Sequence, residues 1–313
     1  MNLKNIYKKA WEVSSKNKPL WVIGAAVLLF SAGGANIGSN FSNTRQEITN
    51  PSSYSKFQPL IDLLSNALKN VPTGTWVALG ISFLFAILLG IIISVVAVSW
   101  AQGSLIGGIE EALDNKKPTI RSSSKHGFEN IKAVIWLRII PGLLFFLALL
   151  LLITLGVLSF TLSKLLGILL AVFIGLIALI TIYIITIIQI WAIRISIIEN
   201  KSGKESFFEG AKMAKESLGE TLQLAISNCL IGCCLGCSLL IIPLIITGPI
   251  GLLALASIYT GNKMLLIPTI ILGIIISIAI ALALTLVNSI YTVFNFSTWN
   301  ILYRQLKNKG KNE

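Results

Sequence analysis

The sequence predicts an all-α polytopic membrane protein, a single helical bundle with six transmembrane helices. Its 313 residues are 55% apolar and only 12% charged, against about 25% charged residues in an average soluble domain. Several uncharged runs reach the roughly 20 residues that a helix needs to cross the hydrocarbon core of a bilayer. Lys and Arg are also divided unevenly between alternate connecting segments, as is typical of membrane proteins.

The longest apolar stretch, Ala133–Ile198, carries only three charges, at Arg138, Lys164 and Arg194. As one helix it would extend about 99 Å, more than three times the thickness of a bilayer core. It must therefore cross twice. Phe160–Ser163 and Lys164 form the only polar break near its middle, which places the turn of a helical hairpin there.

The chain begins with a basic segment, 1–19, whose apolar residues recur at helical spacing and predict an amphipathic helix on the inner membrane surface. Leu20–Ser39 is the first predicted span. A basic leader, an apolar run and a stretch of small residues also fit a cleaved signal peptide. The length of the leader and the interfacial position of Trp21 favour a retained helix.

Residues 40–74 are polar and predict an outer loop, within which 59–71 has a helical apolar stripe. The second predicted span, Trp76–Trp100, has a Trp at each end, which is typical of residues at the two membrane–water interfaces. Charged segments follow at 102–132 and 198–220, and we expect further surface helices there. Residues 247–262 predict an outer loop or a partly re-entrant segment. The third predicted span begins near Trp136. The last three cover Leu165–Trp191, Leu222–Ile246 and Met264–Tyr291.

Positive charge sets the orientation. If the N-terminus, 101–138, 192–220 and the C-terminus are cytoplasmic, they hold 20 of the 25 Lys and Arg residues. This asymmetry is the positive-inside pattern, and it predicts both termini in the cytoplasm and a location in the cell membrane. The net charge of +12 then indicates attraction to anionic lipid headgroups rather than to nucleic acid.

Three predicted inner segments share a Lys-x-small-x-Glu pattern that pairs Lys8 with Glu12, Lys125 with Glu129, and Lys212 with Glu216. Lys and Glu four residues apart can interact on one helix face. The pattern predicts a threefold repeat of surface helix, span, turn and span, with units of about 1–108, 109–198 and 199–313 and an insertion at 40–74. Chance matches also arise in lysine-rich segments, so both explanations stay open.

All four cysteines lie close together within one apolar run, and Cys229, Cys233 and Cys237 share a helix face. A metal or redox site would need further ligands, and the segment has no His or acid. Gly232 and Gly236 lie on the same stretch, and small residues at this spacing allow helices to approach closely. We therefore predict helix packing here. Gly103 and Gly107 have the same spacing.

The predicted spans contain polar amides but no Asp or Glu. Gln189, Asn228 and Asn288 could line a path for a neutral solute, but such amides more often join helices by hydrogen bonds. Arg138 and Arg194 are predicted to snorkel to the inner interface. The chain has one histidine, His126, and it has neither a Gly-x-Ser-x-Gly elbow nor a phosphate-binding loop ending in Gly-Lys-Ser or Gly-Lys-Thr. The sequence thus predicts no catalytic residue, no metal and no cofactor.

One segment carries a family resemblance. It reads from Arg194 through Glu199 to Ser202, and then from Ser206 through Gly210 to Ser217. This pattern resembles the membrane domains of some bacterial glycerophosphoryl diester phosphodiesterases and related multi-span proteins. The chain has no segment for the soluble phosphodiesterase barrel, so the resemblance implies an all-helical membrane domain and not that activity.

Two functions follow as hypotheses. The first is a non-catalytic scaffold or accessory module that associates with lipids or other membrane proteins, which the lack of a catalytic constellation favours. The second is a permease for a small neutral or lipid-like solute. A continuous polar cavity lined by Gln189, Asn228 or Asn288 would favour the permease, and a solidly packed bundle would favour the scaffold.

Overall fold

A computed structural model describes residues 2–32, 72–261 and 263–309, and these residues are almost entirely helical, with no strand among them. The all-α prediction is confirmed. The described helices are α1 (Leu3–Lys16), α2 (Pro19–Ala32), α3 (Thr73–Leu113), α4 (Ile120–Glu129), α5 (Ile131–Leu162), α6 (Lys164–Glu199), α7 (Gly203–Glu216), α8 (Leu218–Tyr259) and α9 (Lys263–Lys309).

Five of these helices, α3, α5, α6, α8 and α9, are long and apolar enough to cross a membrane. The sixth predicted span is represented by α2, whose 14 described residues are apolar but short. The rest of that span, and most of the predicted outer loop 40–74 with its stripe at 59–71, lie outside the described residues. The chain is therefore an integral membrane helical bundle, and the count of six spans stays a prediction.

The long helices form hairpins, as the apolar runs require. The break predicted at 160–164 falls at Ser163, whose backbone is extended between α5 and α6. The α8–α9 turn includes Gly261, which adopts a positive φ of 67°. A glycine suits that conformation because it has no Cβ to clash.

Several long helices are much longer than a bilayer is thick. At 1.5 Å per residue, the 47 residues of α9 extend about 70 Å. Most of the apolar residues in the half of each long helix near the α5–α6 and α8–α9 turns are exposed, as lipid-facing surface would be. Most buried residues lie instead at the opposite end of the bundle, which we call the polar end.

Two predicted connections are helical in the structure. Residues 102–113, predicted as part of a polar region, continue α3 beyond the apolar run, and the helix stops only before Asn115 in its left-handed conformation. Residues 247–259, predicted as a loop or a re-entrant segment, belong to α8 despite Pro249. That prediction was wrong for 247–259, since the apolar residues 252–256 continue the helix, and the described residues of the turn are Thr260 and Gly261.

Three of the short helices, α1, α4 and α7, are polar and lie at the polar end, and each contacts the long helix before it in a cyclic order. Helix α4 packs on α3, α7 packs on α6, and α1 packs on α9. In each short helix the small residue of the Lys-x-small-x-Glu pattern is buried; these residues are Ala10, Gly127 and Ala214. The predicted surface helices are thus packed against the bundle through this face.

The ends of the long helices also resemble one another. An acid-Asn-Lys run follows α3 at Asp114–Lys116 and ends α6 at Glu199–Lys201, and Lys307–Lys309 ends α9 with a related Lys-Asn-Lys run. Asn115 and Asn200 both adopt positive φ, which asparagine tolerates better than most residues. The order short, long, long occurs twice in the described chain, over α4–α6 and α7–α9, while α2 is described over only 14 residues. The hairpin repeat stays a prediction.

Candidate functional site

A buried arginine lies at the centre of the polar end. Arg194 is only 4% exposed. Its Nε donates to Oδ1 of Asn300 at 3.0 Å, and its Nη1 donates to the carbonyl oxygen of Ile190 at 2.7 Å. Asn300 in turn donates to the carbonyl oxygen of Ile106 at 3.2 Å, so the three helices α3, α6 and α9 are joined. Arg194 was predicted to snorkel to the inner interface, and this was wrong because Asn300 binds it inside the bundle.

Acidic side chains near the end of α3 bind α9. Nε of Arg304 donates to Oε2 of Glu110 at 2.7 Å, and its Nη2 donates to Oδ1 of Asp114 at 2.7 Å. Glu110 is the more buried acid, with 14% of its side chain exposed against 49% for Asp114. These ion pairs fix the end of α9 against α3.

A second group of charges joins α6, α7 and α9. Glu199 accepts a hydrogen bond from the hydroxyl of Tyr303 and lies 2.7 Å from Nζ of Lys307. Lys201 lies 2.8 Å from Glu199 and 2.7 Å from Glu209. The two carboxylates raise the pKa of Lys201, because they stabilise its charged form. The protonated lysine therefore bridges the end of α6 to α7 throughout the neutral pH range.

Aromatic side chains fill the space beneath these charges. Trp191 is fully buried and packs edge-on against Trp299 with a ring-centroid distance of 5.7 Å. The ring of Tyr303 also packs on Trp191, with a ring-centroid distance of 6.4 Å. Since large aromatic rings bury much apolar area in a fixed geometry, this group makes the polar end a rigid, closed core.

A cavity of about 300 Å³ lies beside this core, between α3, α5, α6 and α9. Two arginines line it, Arg138 and Arg194. The other lining residues include Gln189 and Asn295, and none of the lining residues that the structure describes is acidic. Nε of Arg138 is buried and has no hydrogen-bond partner among the described atoms. The cavity is therefore cationic, and it has an unsatisfied donor.

The three predicted amides lie in three different environments. Nε2 of Gln189 donates to the carbonyl oxygen of Leu137 at 3.0 Å and lines the cavity. Asn288 is half-buried on α9 and does not line the cavity. The structure thus does not bring Gln189, Asn228 and Asn288 together into one polar path.

Asn228 joins α8 to α1 and α9. Its Nδ2 donates to Oδ1 of Asn295 at 2.9 Å and to the hydroxyl of Thr298 at 3.0 Å. Its Oδ1 accepts a hydrogen bond from the hydroxyl of Tyr7 at 3.2 Å. Both N–H donors and the carbonyl oxygen of this amide form hydrogen bonds between helices, as expected of a buried asparagine.

The cysteine face of α8 is exposed in the part of the chain that the structure describes. Cys229, Cys233 and Cys237 are exposed free thiols, and a Cβ placed at Gly236 would meet nothing within 4 Å. The sequence predicted helix packing at these residues, and no described helix covers Gly236 or the three thiols, so that packing stays a prediction. Gly232 is the exception, since a Cβ there would lie 2.7 Å from the hydroxyl oxygen of Tyr291.

Metal-binding groups of three or more His, Cys, Asp or Glu side chains do not occur in the part of the chain that the structure describes.

In the Lys-x-small-x-Glu pattern, the small residue packs against the bundle and the charged residues lie on the surface. Lys125 pairs with Glu129 at 3.7 Å, and Lys212 with Glu216 at 4.0 Å. Glu12 pairs with Lys16 rather than with Lys8. That pair lowers the pKa of Glu12. All of these pairs are exposed and contribute little to stability.

His126 lies between α4 and α3 and is partly exposed. Nε2 of His126 lies 3.2 Å from Oε1 of Glu111, and the imidazole packs over Gly107 of α3. Gly103 and Gly107 thus bring α4 close to α3. The glycine spacing indicated a close helix contact, but it did not indicate that the partner was a short helix.

Sequence reasoning missed four polar residues that hold the polar end together, the charged Glu110, Glu199 and Arg304 and the amide Asn300. The available signal was their position, since each lies within the last turns of a long helix that returns to this end. Nothing in a single sequence shows which of these helix ends meet.

The fold and this core define an all-α integral membrane protein of hairpin construction. Comparisons with protein-family models, curated proteins and solved structures return no match for the chain. The resemblance to phosphodiesterase membrane domains stays a prediction.

Proposed function

We propose that the chain is a non-catalytic membrane scaffold, which associates through its exposed apolar helices with lipid and with another membrane helix. The single observation that supports this most is the closed polar end, where Trp191, Tyr303 and Leu302 are at most 1% exposed and ion pairs join α3, α6 and α9. A rigid core that holds several helices with exposed apolar surfaces is suited to assembly with other membrane components.

The exposed cysteine face of α8 supplies the contact surface in this proposal. Small residues and thiols such as Cys233, Gly236 and Cys237 allow a second transmembrane helix to approach closely. The partner is thus an apolar helix of a second copy or of another membrane protein. The basic residues at the polar end add attraction to anionic headgroups.

The native thiols provide the test. We expect oxidative or bis-maleimide crosslinking in intact membranes to give one discrete adduct through Cys233 or Cys237. A quadruple Cys→Ser variant should lose the adduct while its expression is unchanged. A matched control, Ala281→Cys in that variant, places a thiol on an exposed face of α9 and should give no such adduct. Crosslinks equal at both faces, or none at either, would contradict the proposal.

The permease is the second candidate, and the cavity lined by Gln189 is the observation in its favour. We expect proteoliposomes containing the purified protein to take up glycerol and small sugars no faster than protein-free vesicles. A flux that Gln189→Leu abolishes would overturn the scaffold proposal and establish the alternative.

A further inference from the structure

The cavity between α3, α5, α6 and α9 holds two positive charges that no lining carboxylate balances. Arg194 is bound by Asn300 and by the carbonyl oxygen of Ile190, which are both neutral acceptors. Its guanidinium also lies over the rings of Phe296 and Trp299, at 5.7 and 5.9 Å from their centroids. These contacts orient the group without neutralising its charge.

Each nearby acid pairs with another basic residue, although Oε1 of Glu110 is buried without a hydrogen-bond partner. Glu110 and Asp114 pair with Arg304, and Glu199 pairs with Lys201 and Lys307. Neither Arg138 nor Arg194 has a salt bridge among the described residues. Glu110 acts electrostatically on Arg194 without forming a salt bridge with it, so the charge is only partly compensated, and an uncompensated buried charge is strongly destabilising. An anion in the cavity would remove this cost.

The geometry points to a bound phosphate group, and we propose that Arg138 and Arg194 bind it as a pair in this cavity. Guanidinium groups match phosphate oxygens in charge and in planar, paired donor geometry. The unpartnered Nε of Arg138 is an available donor. A volume of about 300 Å³ is at the lower end of the range for small-ligand sites.

A phospholipid headgroup is the source that the position favours. On α6 the lining of the cavity extends from Arg194 to Thr186. Beyond Thr186, towards the α5–α6 turn, the helix exposes apolar residues such as Ile184 and Ile182. A lipid could thus place its phosphate between the arginines and its chains along this surface. Basic pockets between transmembrane helices are known to bind anionic headgroups in this way. The site goes beyond the scaffold proposal, which does not require a bound anion.

The test uses the full chain in neutral detergent and follows its thermal unfolding as lipid is added. We expect dioleoyl phosphatidylglycerol to raise the unfolding temperature saturably, while dioleoylglycerol, which lacks phosphate, has no effect. Arg138→Met should weaken the apparent affinity at least tenfold, and Arg138→Lys should weaken it less. Arg138 is the residue to change because Arg194 also holds α6 to α9, so its loss could unfold the bundle.

Two controls keep the result interpretable. Arg121→Met removes an exposed arginine of α4 and should leave lipid affinity unchanged. Native mass spectrometry should show one retained lipid on the wild type and its loss from Arg138→Met, whether or not the variant is less stable. Inorganic phosphate is added in a separate arm, and a saturable, Arg138-dependent effect of phosphate alone would support the site with a soluble ligand.

Equal lipid affinity of the wild type and Arg138→Met would overturn the proposal. So would an equal loss of affinity in Arg121→Met, because this would indicate a general effect of surface charge. Neither outcome affects the crosslinking test of the scaffold, so the two proposals can fail independently.

Discussion

At the scale of single residues, the smallest side chains determine how the polar end packs. A Cβ at Gly127 would overlap the hydroxyl oxygen of Ser104 and lie 2.5 Å from the carbonyl oxygen of Trp100. The sequence pattern identified a small residue here, in the middle of Lys-x-small-x-Glu. It could not show that the reason was backbone contact with α3, because the partner lies in an earlier helix.

We expect Gly127→Ala to destabilise the protein by about 1–3 kcal/mol, as overpacking of a tight contact does. The measurement is thermal unfolding in detergent. Gly142→Ala is the matched control, since a Cβ there meets nothing within 4 Å, and it should be neutral or slightly stabilising. If both variants unfold at the same temperature, the close approach of α4 and α3 is incorrect.

The amide side chains of Asn228 and Asn288 also differ in how much they contribute to packing. Asn228→Leu should lower stability by about 1–3 kcal/mol, because it leaves Tyr7 and Thr298 without their shared partner. Asn288→Leu, at a half-buried position, should change unfolding by much less. Chemical denaturation of the two variants in the same detergent would compare them, and a larger effect at Asn288 would count against the described network.

At the scale of helices, periodicity predicted the existence of the elements better than their contacts. The α5–α6 turn fell where the apolar run was interrupted, and α1 and α7 lie where helical stripes were expected. The sequence did not show that α3 continues to Leu113, since its final turns are charged. Those charges are compensated by Arg304 of α9, which is nearly 200 residues away, and such pairing leaves no local signal.

The contact between α3 and α9 gives a prediction for this scale. Glu110→Gln should destabilise the bundle by about 3 kcal/mol, because it leaves Arg304 partly buried without its closer partner. Asp114→Asn, at a half-exposed pair, should cost less than about 1 kcal/mol. Both follow from thermal unfolding at neutral pH, and the reverse order would show that Asp114 is the principal partner of Arg304.

At the scale of the whole molecule, three short helices close the polar end in a cyclic order. The four segments that hold most of the positive charge, 1–19, 101–138, 192–220 and the end of α9, gather at this end. Charge counting therefore grouped the right segments. It could not show that they pack into one core, nor that Arg138 and Arg194 line a cavity, because one sequence does not show which faces of different helices meet.

The central claim is that every segment of the polar end lies on one side of the membrane and that both described turns at the opposite end lie on the other. Single-cysteine labelling with a membrane-impermeant maleimide tests it directly in the quadruple Cys→Ser background. We expect Lys116→Cys, Lys212→Cys and Lys309→Cys to react only after the cytoplasmic face is opened, and Lys164→Cys and Gly261→Cys to react in intact cells. Labelling of Lys212→Cys from outside, while Lys116→Cys stays protected, would contradict the account.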